Sequence, residues 1–326
     1  MNEPIVFSLN SGASFARQVA ERLGVDPGTH EERDFEDGEH KIRPLQSVRA
    51  RDVYVVQSLH GDAEYDLNDK FVRLLFLLGA LRESGAARVT AVVPYLCYAR
   101  KERQTKARDP ITTRYVAQLF EAMGVDRMVT LDVHNLAGFQ NAFRCQSEHL
   151  SARGPLIDWL RDRLGDRPVT VASPDVGGVK RAERFREALE RQTGREVGSA
   201  FMEKFRSEGT VRGSTVLGEI EGRTVLVLDD LIAGGGTMTR AADAFVAHGA
   251  KEVVALATHG LFTDGLEKAL DCPSLSHLAV SNSVPVPEPP KNSNLGDKLS
   301  VVDIAPLIAE AIKRLHAGGS LTELDP

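Results

Sequence analysis

An apolar run followed by two acidic residues and a glycine series is the segment of this sequence best suited to bind a sugar phosphate. Val225–Leu228 leads into Asp229 and Asp230, the glycines Gly234–Gly236 precede Thr237, and a helix is predicted at Met238–His248. Glycines let backbone amides approach an anion closely, and a helix N-terminus adds partial positive charge. Thr237 adds a hydroxyl donor and is a candidate helix cap. The paired carboxylates suit ribose hydroxyls, from which they accept, and magnesium.

The glycine series matches neither of two common nucleotide-binding motifs. A P-loop carries a lysine after its last glycine, and a dinucleotide fingerprint has the G-x-G-x-x-G spacing. Neither pattern occurs at Ala233–Thr237. The plain alternative is a glycine-rich turn with solvated aspartates. The combination of an apolar strand, two aspartates, glycines and a threonine favours the phosphate site.

A second acidic turn and three further side chains are also candidates for chemistry. Asp175 follows an apolar run and precedes Gly177–Gly178, which makes a second turn able to hold an anion. His134 ends another apolar run, where a histidine is more often structural than a metal ligand. Lys204 and Arg206, taken alone, are most simply a solvated surface pair.

Short apolar strands alternating with amphipathic helices must position these residues. Continuous apolar runs predict strands that are covered on both faces. The predicted strands are Ile5–Leu9, Val53–Gln57, Val89–Pro94, Met128–Asp132, Val169–Ala172, Val197–Met202, Val225–Leu228 and Val253–Thr258. Further helices are predicted at Phe71–Leu78, Thr112–Met123 and Ile304–Leu315. This alternation predicts parallel sheets with right-handed crossovers.

Two polar segments and one change of rhythm complete the expected organisation. Ser207–Gly213 is predicted to be a mobile loop, and Pro285–Asn294 is predicted to be an exposed loop. The rhythm changes near Leu150–Pro155. We therefore expect one domain at residues 1–150 and a second at residues 151–326.

Composition excludes several classes of function. The 326 residues are 42% hydrophobic and 26% charged, which is enough for two packed cores. A net charge of −6 gives no support to nucleic-acid binding and disfavours an anionic membrane surface. The 3 cysteines form no C-x-x-C pair, as in proteins of a reducing compartment. A polar N-terminus and the lack of a long apolar run predict a soluble cytoplasmic protein.

Several segments together resemble the ribose-phosphate pyrophosphokinase family. Val225–Thr237 resembles the phosphoribosyl pyrophosphate loop that this family shares with type I phosphoribosyltransferases. Phe35–Glu39 resembles the family's adenine-holding motif, and Val92–Arg103 resembles its second ATP-contacting segment. Further matches follow in the family's order at Val129–His134, Ala137–Phe139, Ser173–Gly178, Lys204–Arg206, Ala257–Phe262 and Ala309–Arg314. A simple phosphoribosyltransferase would cover only the second half of the chain.

The resemblance implies a fold and an activity. The implied fold is α/β, with two tandem type I phosphoribosyltransferase-like domains, each a mainly parallel sheet flanked by helices. The implied activity transfers the diphosphoryl group of ATP to the C1 hydroxyl of ribose 5-phosphate, giving 5-phosphoribosyl 1-pyrophosphate and AMP for nucleotide biosynthesis. Mg²⁺ is the implied cofactor. A homo-oligomer is also implied, because in the family a neighbouring subunit supplies the segment that corresponds to Phe35–Glu39.

The resemblance also gives each candidate side chain a role. Lys204 and Arg206 are the implied catalytic pair on a flexible loop, and His134 and Asp175 are the implied magnesium ligands. The implied ATP-binding residues are Phe35, Asp37, Gly38, Glu39, Arg100 and Lys101. The implied ribose 5-phosphate-binding residues are Asp229, Asp230, Ala233, Gly234, Gly235, Gly236 and Thr237.

Four positions depart from the family pattern. Ala233 stands where the family loop has a third aspartate, and Gly234 stands where it has a threonine. One lost hydrogen bond to phosphate costs roughly 1.5–3 kcal/mol. Lys101 replaces a common glutamine, and Phe205 replaces a residue that is often charged. The altered loop resembles that of the plant-like class II enzymes more than that of the bacterial class I enzymes.

Two alternatives remain open at the level of sequence. One is a non-catalytic regulatory homologue, which Ala233 favours and the retained Lys204 and Arg206 disfavour. The other is a nucleobase phosphoribosyltransferase, which the ATP-type motifs of the first half disfavour. Formation of AMP from ribose 5-phosphate and Mg-ATP distinguishes the enzyme from both.

Overall fold

Buried strands alternate with amphipathic helices along both halves of the chain. The computed structural model describes residues 3–207, 210–263, 265–289 and 294–325, and at 204–207, 210–214 and 294 it describes the backbone alone. Residues group into two units by their contacts. The first unit contains Met1–Ser151 and Ile304–Asp325, and the second contains Ala152–Asp303.

A five-stranded parallel sheet forms the centre of the first unit. The strands of this unit are β1 (Ile5–Phe7), β2 (His30–Asp34), β3 (His40–Pro44), β4 (Asp52–Val56), β5 (Arg88–Val93), β6 (Arg127–Leu131) and β7 (Gln146–Leu150). The order across the sheet is β1-β4-β5-β6-β7, and β2 pairs with β3 as an antiparallel hairpin. β4, β5 and β6 are buried along nearly their whole length, as expected for strands covered on both faces.

Four helices connect these strands. They are α1 (Ala13–Leu23), α2 (Leu67–Glu83), α3 (Thr112–Ala122) and α4 (Leu136–Ala142). α2 begins with a capping box in which Asp66 Oδ1 accepts from the Asp69 backbone N–H at 2.9 Å and Asp69 Oδ2 accepts from the Asp66 N–H at 3.3 Å. Its Phe71, Leu74 and Leu78 are buried in the core of this unit.

A seven-stranded sheet forms the centre of the second unit. The elements of this unit are α5 (Arg153–Leu164), β8 (Val169–Ser173), α6 (Val179–Thr193), β9 (Val197–Ser207), β10 (Thr210–Gly218), β11 (Thr224–Ile232), α7 (Gly236–Ala247), β12 (Glu252–Gly260), α8 (Leu266–Leu270), β13 (His277–Ser281) and β14 (Leu299–Val302). The order is β10-β9-β8-β11-β12-β13-β14. β10 pairs with β9 antiparallel, and the other neighbouring pairs are parallel. The expected α/β class with mainly parallel sheets is confirmed.

The last helix, α9 (Ala305–Ala317), groups with the first unit. The predicted division had placed it in the domain at 151–326. The difference has a physical cause, because α9 packs against α1 and buries Ile308, Ile312 and Leu315. His316 Nδ1 also lies 2.7 Å from Asp52 Oδ2, at the start of β4.

The apolar runs located their strands, with ends shifted by one to several residues. The hairpin β2–β3 and the strands β7, β10, β13 and β14 were not predicted. The predicted mobile loop at Ser207–Gly213 overlaps the paired strands β9 and β10, although residues 208–209 lie outside the described part of the chain. Of the predicted exposed loop at Pro285–Asn294, residues 285–289 have no regular structure, residues 290–293 lie outside the described part of the chain, and Asn294 begins a short 3-10 helix. Among the described residues, no helix is long and apolar enough to cross a bilayer.

Candidate active site

Two acidic turns lie at one edge of the second sheet. β8 and β11 are parallel neighbours, with Ala172 opposite Val227. Asp175 follows the end of β8, and Asp229 and Asp230 lie towards the end of β11. Because the carboxyl ends of parallel strands meet at the same edge, both predicted anion-binding turns face one region.

The glycine series forms a tight turn into helix α7. Gly235 has φ +76° and precedes the first helical residue, Gly236. A β-carbon at Gly235 would lie 2.7 Å from the Ala269 β-carbon of α8, so both the conformation and the space require glycine. The helix begins two residues earlier than predicted, so Thr237 lies inside its first turn and is not the N-cap. The N-terminal amides of α7 follow the turn and suit a phosphate.

The turn after β8 is organised by its own aspartate. Asp175 Oδ1 accepts from the Gly178 N–H at 3.2 Å, and Ser173 Oγ donates to the Asp175 carbonyl at 2.6 Å. A β-carbon at Gly178 would lie 2.5 Å from Ser173 Oγ, which explains the glycine. The Asp175 carboxylate is therefore fixed at the N-terminal end of the segment that leads into α6.

Arg181 bridges the two aspartates of β11. Its Nη1 lies 2.9 Å from Asp229 Oδ1 and 3.0 Å from Asp230 Oδ1. Asp230 is 3% exposed. Burial and the neighbouring Asp230 raise the pKa of Asp229, and Arg181 opposes that rise. Arg181 was not predicted as a site residue, because a lone arginine six residues beyond Asp175 belongs to no local motif.

Arg240 is a second cation that was not predicted as a site residue. It lies in the second turn of α7, and its Nη2 is 3.4 Å from Thr237 Oγ1. Its Nη1 lies 3.3 Å from the position that a β-carbon at Gly236 would take. A cation near a helix N-terminus is unfavourable for the helix dipole, so its presence in the sequence was a usable signal for an anion site.

The hairpin β2–β3 carries the predicted adenine motif. Phe35 N–H donates to the Glu39 carbonyl at 2.7 Å, and Gly38, with φ +88°, donates to the Phe35 carbonyl at 3.1 Å. Asp37 Oδ1 accepts from the Glu39 N–H at 3.1 Å. The Phe35 ring is 43% exposed, and the Arg33 guanidinium lies 4.9 Å from its centre. The turn therefore presents an aromatic ring and carboxylates at the tip of a hairpin.

The second predicted ATP segment is a loop between β5 and α3. Arg100 is exposed. Lys101 Nζ donates to Asp109 Oδ2 at 2.5 Å and to Thr105 Oγ1 at 3.2 Å. The hydrogen bond from Lys101 is the largest of the contacts that lower the pKa of Asp109. Arg100 is thus presented to solvent, and Lys101 is held within its own loop.

The predicted metal ligands lie in different units. His134 is exposed between β6 and α4 in the first unit, and Asp175 belongs to the second. Among the described residues, no group of three or more His, Cys, Asp or Glu side chains is arranged to hold a metal ion. Mg²⁺ commonly takes one or two carboxylates and completes its shell with phosphates and water. The fixed carboxylate of Asp175 fits that requirement better than the imidazole of His134 does.

The structure brings together several predicted residues of the second unit. Asp175, Asp229, Asp230 and the turn 233–237 lie at one edge of the second sheet. The residues Phe35–Glu39, Arg100, Lys101 and His134 belong to the first unit. Lys204 and Arg206 lie on β9, and their side chains are outside the described part of the chain.

Comparison with known proteins gives one consistent result over the whole chain. A family model for the N-terminal domain of ribose phosphate pyrophosphokinase matches residues 4–124, and a model for the phosphoribosyl synthetase-associated domain matches residues 206–325. A curated ribose-phosphate pyrophosphokinase of Caldanaerobacter subterraneus subsp. tengcongensis is 36% identical over 98% of this chain and 96% of its own. A curated protein of the same name from Corynebacterium ammoniagenes is 35% identical over the same shares of the two chains.

A solved structure agrees with the fold. The crystal structure of phosphoribosylpyrophosphate synthetase from Mycobacterium smegmatis aligns with a TM-score of 0.87 and 32% identity, over 98% of this chain and 100% of that chain. The match confirms the predicted fold. Since relatives above 30% identity are matched over nearly their full length, this chain belongs to the ribose-phosphate pyrophosphokinase family.

Proposed function

We propose that this chain transfers the diphosphoryl group of ATP to the C1 hydroxyl of ribose 5-phosphate, giving 5-phosphoribosyl 1-pyrophosphate and AMP. The observation that carries the proposal is the edge of the second sheet, where two aspartates of β11 precede a positive-φ glycine and the N-terminus of α7. This arrangement offers carboxylates for sugar hydroxyls and backbone amides for a phosphate. The family to which the chain belongs supports the same reaction.

Ribose 5-phosphate would bind along the end of β11. The amides of Gly234, Gly235, Gly236 and Thr237 would hold the 5-phosphate at the start of α7. Asp229 and Asp230 would accept hydrogen bonds from the ribose hydroxyls. Ala233 lies in the turn, where its carbonyl accepts from the Thr263 N–H at 2.9 Å, so its part in phosphate binding would be made by the backbone.

ATP would be bound by residues of the first unit. Phe35 offers an exposed ring for adenine, and Asp37, Gly38 and Glu39 shape the hairpin that carries it. Arg100 is an exposed cation for phosphate, and Lys101 would join it after leaving Asp109. We propose a homo-oligomer in which the hairpin serves the ATP site of a neighbouring subunit.

Magnesium fits the donor set offered by this chain. We propose Asp175 as the main protein ligand, with His134 as the second. The ion would neutralise part of the charge on the ATP phosphates. The chain's own residues would then position the C1 hydroxyl in line with the β-phosphorus. Its oxygen would bond to that phosphorus while the bond from the β-phosphorus to the α,β-bridging oxygen breaks, so that AMP leaves with the bridging oxygen and the hydroxyl proton passes to water.

Lys204 and Arg206 are proposed as the catalytic cations. Diphosphoryl transfer spreads negative charge over the β-phosphate oxygens, and cations brought to them lower the barrier. The deciding experiment incubates purified protein with ribose 5-phosphate and Mg-ATP and quantifies AMP and 5-phosphoribosyl 1-pyrophosphate. We expect Lys204→Ala to lower kcat severely and leave substrate binding nearly intact. No AMP from the wild-type protein would refute the proposal, and unchanged turnover in the variant would remove Lys204 from the mechanism.

A further inference from the structure

The bridge made by Arg181 imposes an arrangement that a bare strand does not adopt. Successive side chains of a β-strand point to opposite faces of the sheet. Asp229 and Asp230 are consecutive residues of β11, yet one nitrogen of Arg181 lies 2.9 Å from the first carboxylate and 3.0 Å from the second. The Asp230 N–H also donates to Asp229 Oδ1 at 2.9 Å, which ties the two residues together.

The bridge also offsets an electrostatic problem. Two carboxylates held side by side in a partly buried place repel each other and favour taking up a proton. Asp230 is 3% exposed, and the side chains of Asp229 and Arg181 are 22% and 26% exposed, so water screens this group only partly. A protonated carboxyl is a poorer acceptor for a sugar hydroxyl than a carboxylate is. The Arg181 cation beside the two carboxylates therefore favours their ionised state, which is the better acceptor for the two hydroxyls of a sugar.

We propose that Arg181 is a positioning residue for ribose 5-phosphate: it holds the carboxylates of Asp229 and Asp230 converged and directed at the ribose hydroxyls. The inference rests on the proposed function, in which these carboxylates bind the sugar. Helix α6 therefore contributes to the site in two ways. It follows the Asp175 turn, and it carries Arg181, which orders the aspartates of β11.

The contact pattern predicts which substitutions are tolerated. Both short contacts use Nη1, so a single cationic nitrogen makes them. Arg181→Lys should therefore retain much of the function, and the uncharged Arg181→Gln should not. For Arg181→Gln we expect the KM for ribose 5-phosphate to rise at least about tenfold, with the KM for ATP changed less than about twofold. Arg184→Ala is the matched control, because Arg184 is an exposed arginine on the same helix.

The test combines kinetics, binding and stability. Initial rates of AMP formation are measured with each substrate varied in turn, and calorimetry measures ribose 5-phosphate binding to the wild-type protein, Arg181→Gln, Arg181→Lys and Arg184→Ala. Trp159 is the single tryptophan of the chain and lies in the second unit, so its fluorescence reports the unfolding of that unit in urea. Selective loss of sugar binding in Arg181→Gln, restored in Arg181→Lys, supports the inference.

Other outcomes count against it. Equal sugar affinity in Arg181→Gln and the wild-type protein would overturn the positioning role, as would parallel losses for both substrates that follow lost stability. If Arg181→Gln does not fold, the decision falls to Arg181→Lys, whose sugar affinity must stay within about tenfold of the wild type, since both contacts use one nitrogen. A wild-type protein that binds ribose 5-phosphate without forming AMP would refute the proposed reaction and leave this inference standing.

Discussion

The α-carbon of Gly235 approaches Ala269 so closely that a β-carbon on the glycine would lie 2.7 Å from the alanine β-carbon and 3.1 Å from its α-carbon. Gly235 also has φ +76°. We expect Gly235→Ala to lower the free energy of unfolding of the second unit by about 2–4 kcal/mol, through left-handed strain and overpacking together. The displaced turn should also raise the KM for ribose 5-phosphate. Urea unfolding followed by Trp159 fluorescence measures the first effect.

Gly222→Ala separates the two causes. Gly222 has φ +75° in the same unit, and, its two chain neighbours aside, none of the described residues has an atom within 4 Å of the position its β-carbon would take. Gly222→Ala should therefore lower the free energy of unfolding only by the contribution of backbone strain, about 1 kcal/mol. Its KM for ribose 5-phosphate should equal that of the wild type. Equal stability losses for the two variants would show that α8 yields to the added methyl group.

The raised pKa of Asp229 predicts how stability changes with pH. Burial, with the adjacent Asp230, raises this pKa above its ordinary value of 3.8, so in the window between the ordinary and the raised value the folded protein binds more protons than the unfolded chain does. Stability should therefore fall as pH rises through this window. Asp229→Asn cannot titrate, so it should be more stable than the wild type at pH 8, and its free energy of unfolding should depend less on pH. Urea unfolding at a series of pH values measures it, and parallel pH profiles would contradict it.

Lys70 and Asp62 form a partly buried ion pair in the first unit. Lys70 is 0% exposed and contacts Asp62 Oδ2, and its Nζ lies 3.3 Å from His60 Nε2. Burial, with Lys70 beside it, lowers the pKa of His60 to about 4. Asp62→Asn leaves the ammonium without its counter-charge and should destabilise the unit by roughly 2–4 kcal/mol, allowing for the partial exposure of Asp62.

The ion pair of Lys70 with Asp62 also makes the stability of the first unit depend on pH in the acid range. Although burial opposes the shift, the hydrogen bond from Lys70 lowers the pKa of Asp62 from 3.8 to about 2. A lowered folded-state pKa means that the stabilisation is present above the ordinary value and is lost as pH falls through this window. Thermal unfolding by circular dichroism compares Asp62→Asn with Glu64→Gln, an exposed control in the same loop. Equal melting temperatures for the two variants would show that Lys70 finds another partner.

The sequence predicted the parts of this fold that depend on local pattern. Continuous apolar runs located β4, β5, β6, β8 and β11, because strands covered on both faces need apolar residues at most positions. The hairpin β2–β3 was missed because its strands, HEERD and HKIRP, are mostly polar and only partly buried. Their stability comes from packing on α2 and from ion pairs such as Arg73 with Asp34 at 2.5 Å. Such pairs join residues distant in sequence and leave no periodic pattern.

The candidate site divides in the same way. The aspartates and glycines of β11 and its turn were predictable because one short segment supplies them. Arg181 was not predictable, because it contacts Asp229, which lies 48 positions further along the chain, and the next residue, Asp230. The assignment of α9 to the first unit could not be predicted from local pattern either, since the contact of His316 with Asp52 spans 264 positions. Chain-distant contacts of this kind follow from the three-dimensional packing alone.

Arg240 offers a replacement for the donor that the phosphate turn lacks at Gly234. Its guanidinium is exposed and reaches back to the first turn of α7, with Nη2 3.4 Å from Thr237 Oγ1. A charged donor placed there should strengthen binding of the 5-phosphate beyond what the backbone amides give.

We expect Arg240→Ala to raise the KM for ribose 5-phosphate about three- to tenfold and Arg240→Lys to raise it less. Because an exposed charge is screened by salt, the ratio of the two KM values, variant to wild type, should shrink as ionic strength rises. Initial-rate measurements at low and high salt test this prediction, and Arg184→Ala is the charge-matched control. A KM ratio near one at low salt would show that the turn holds its phosphate by the backbone alone.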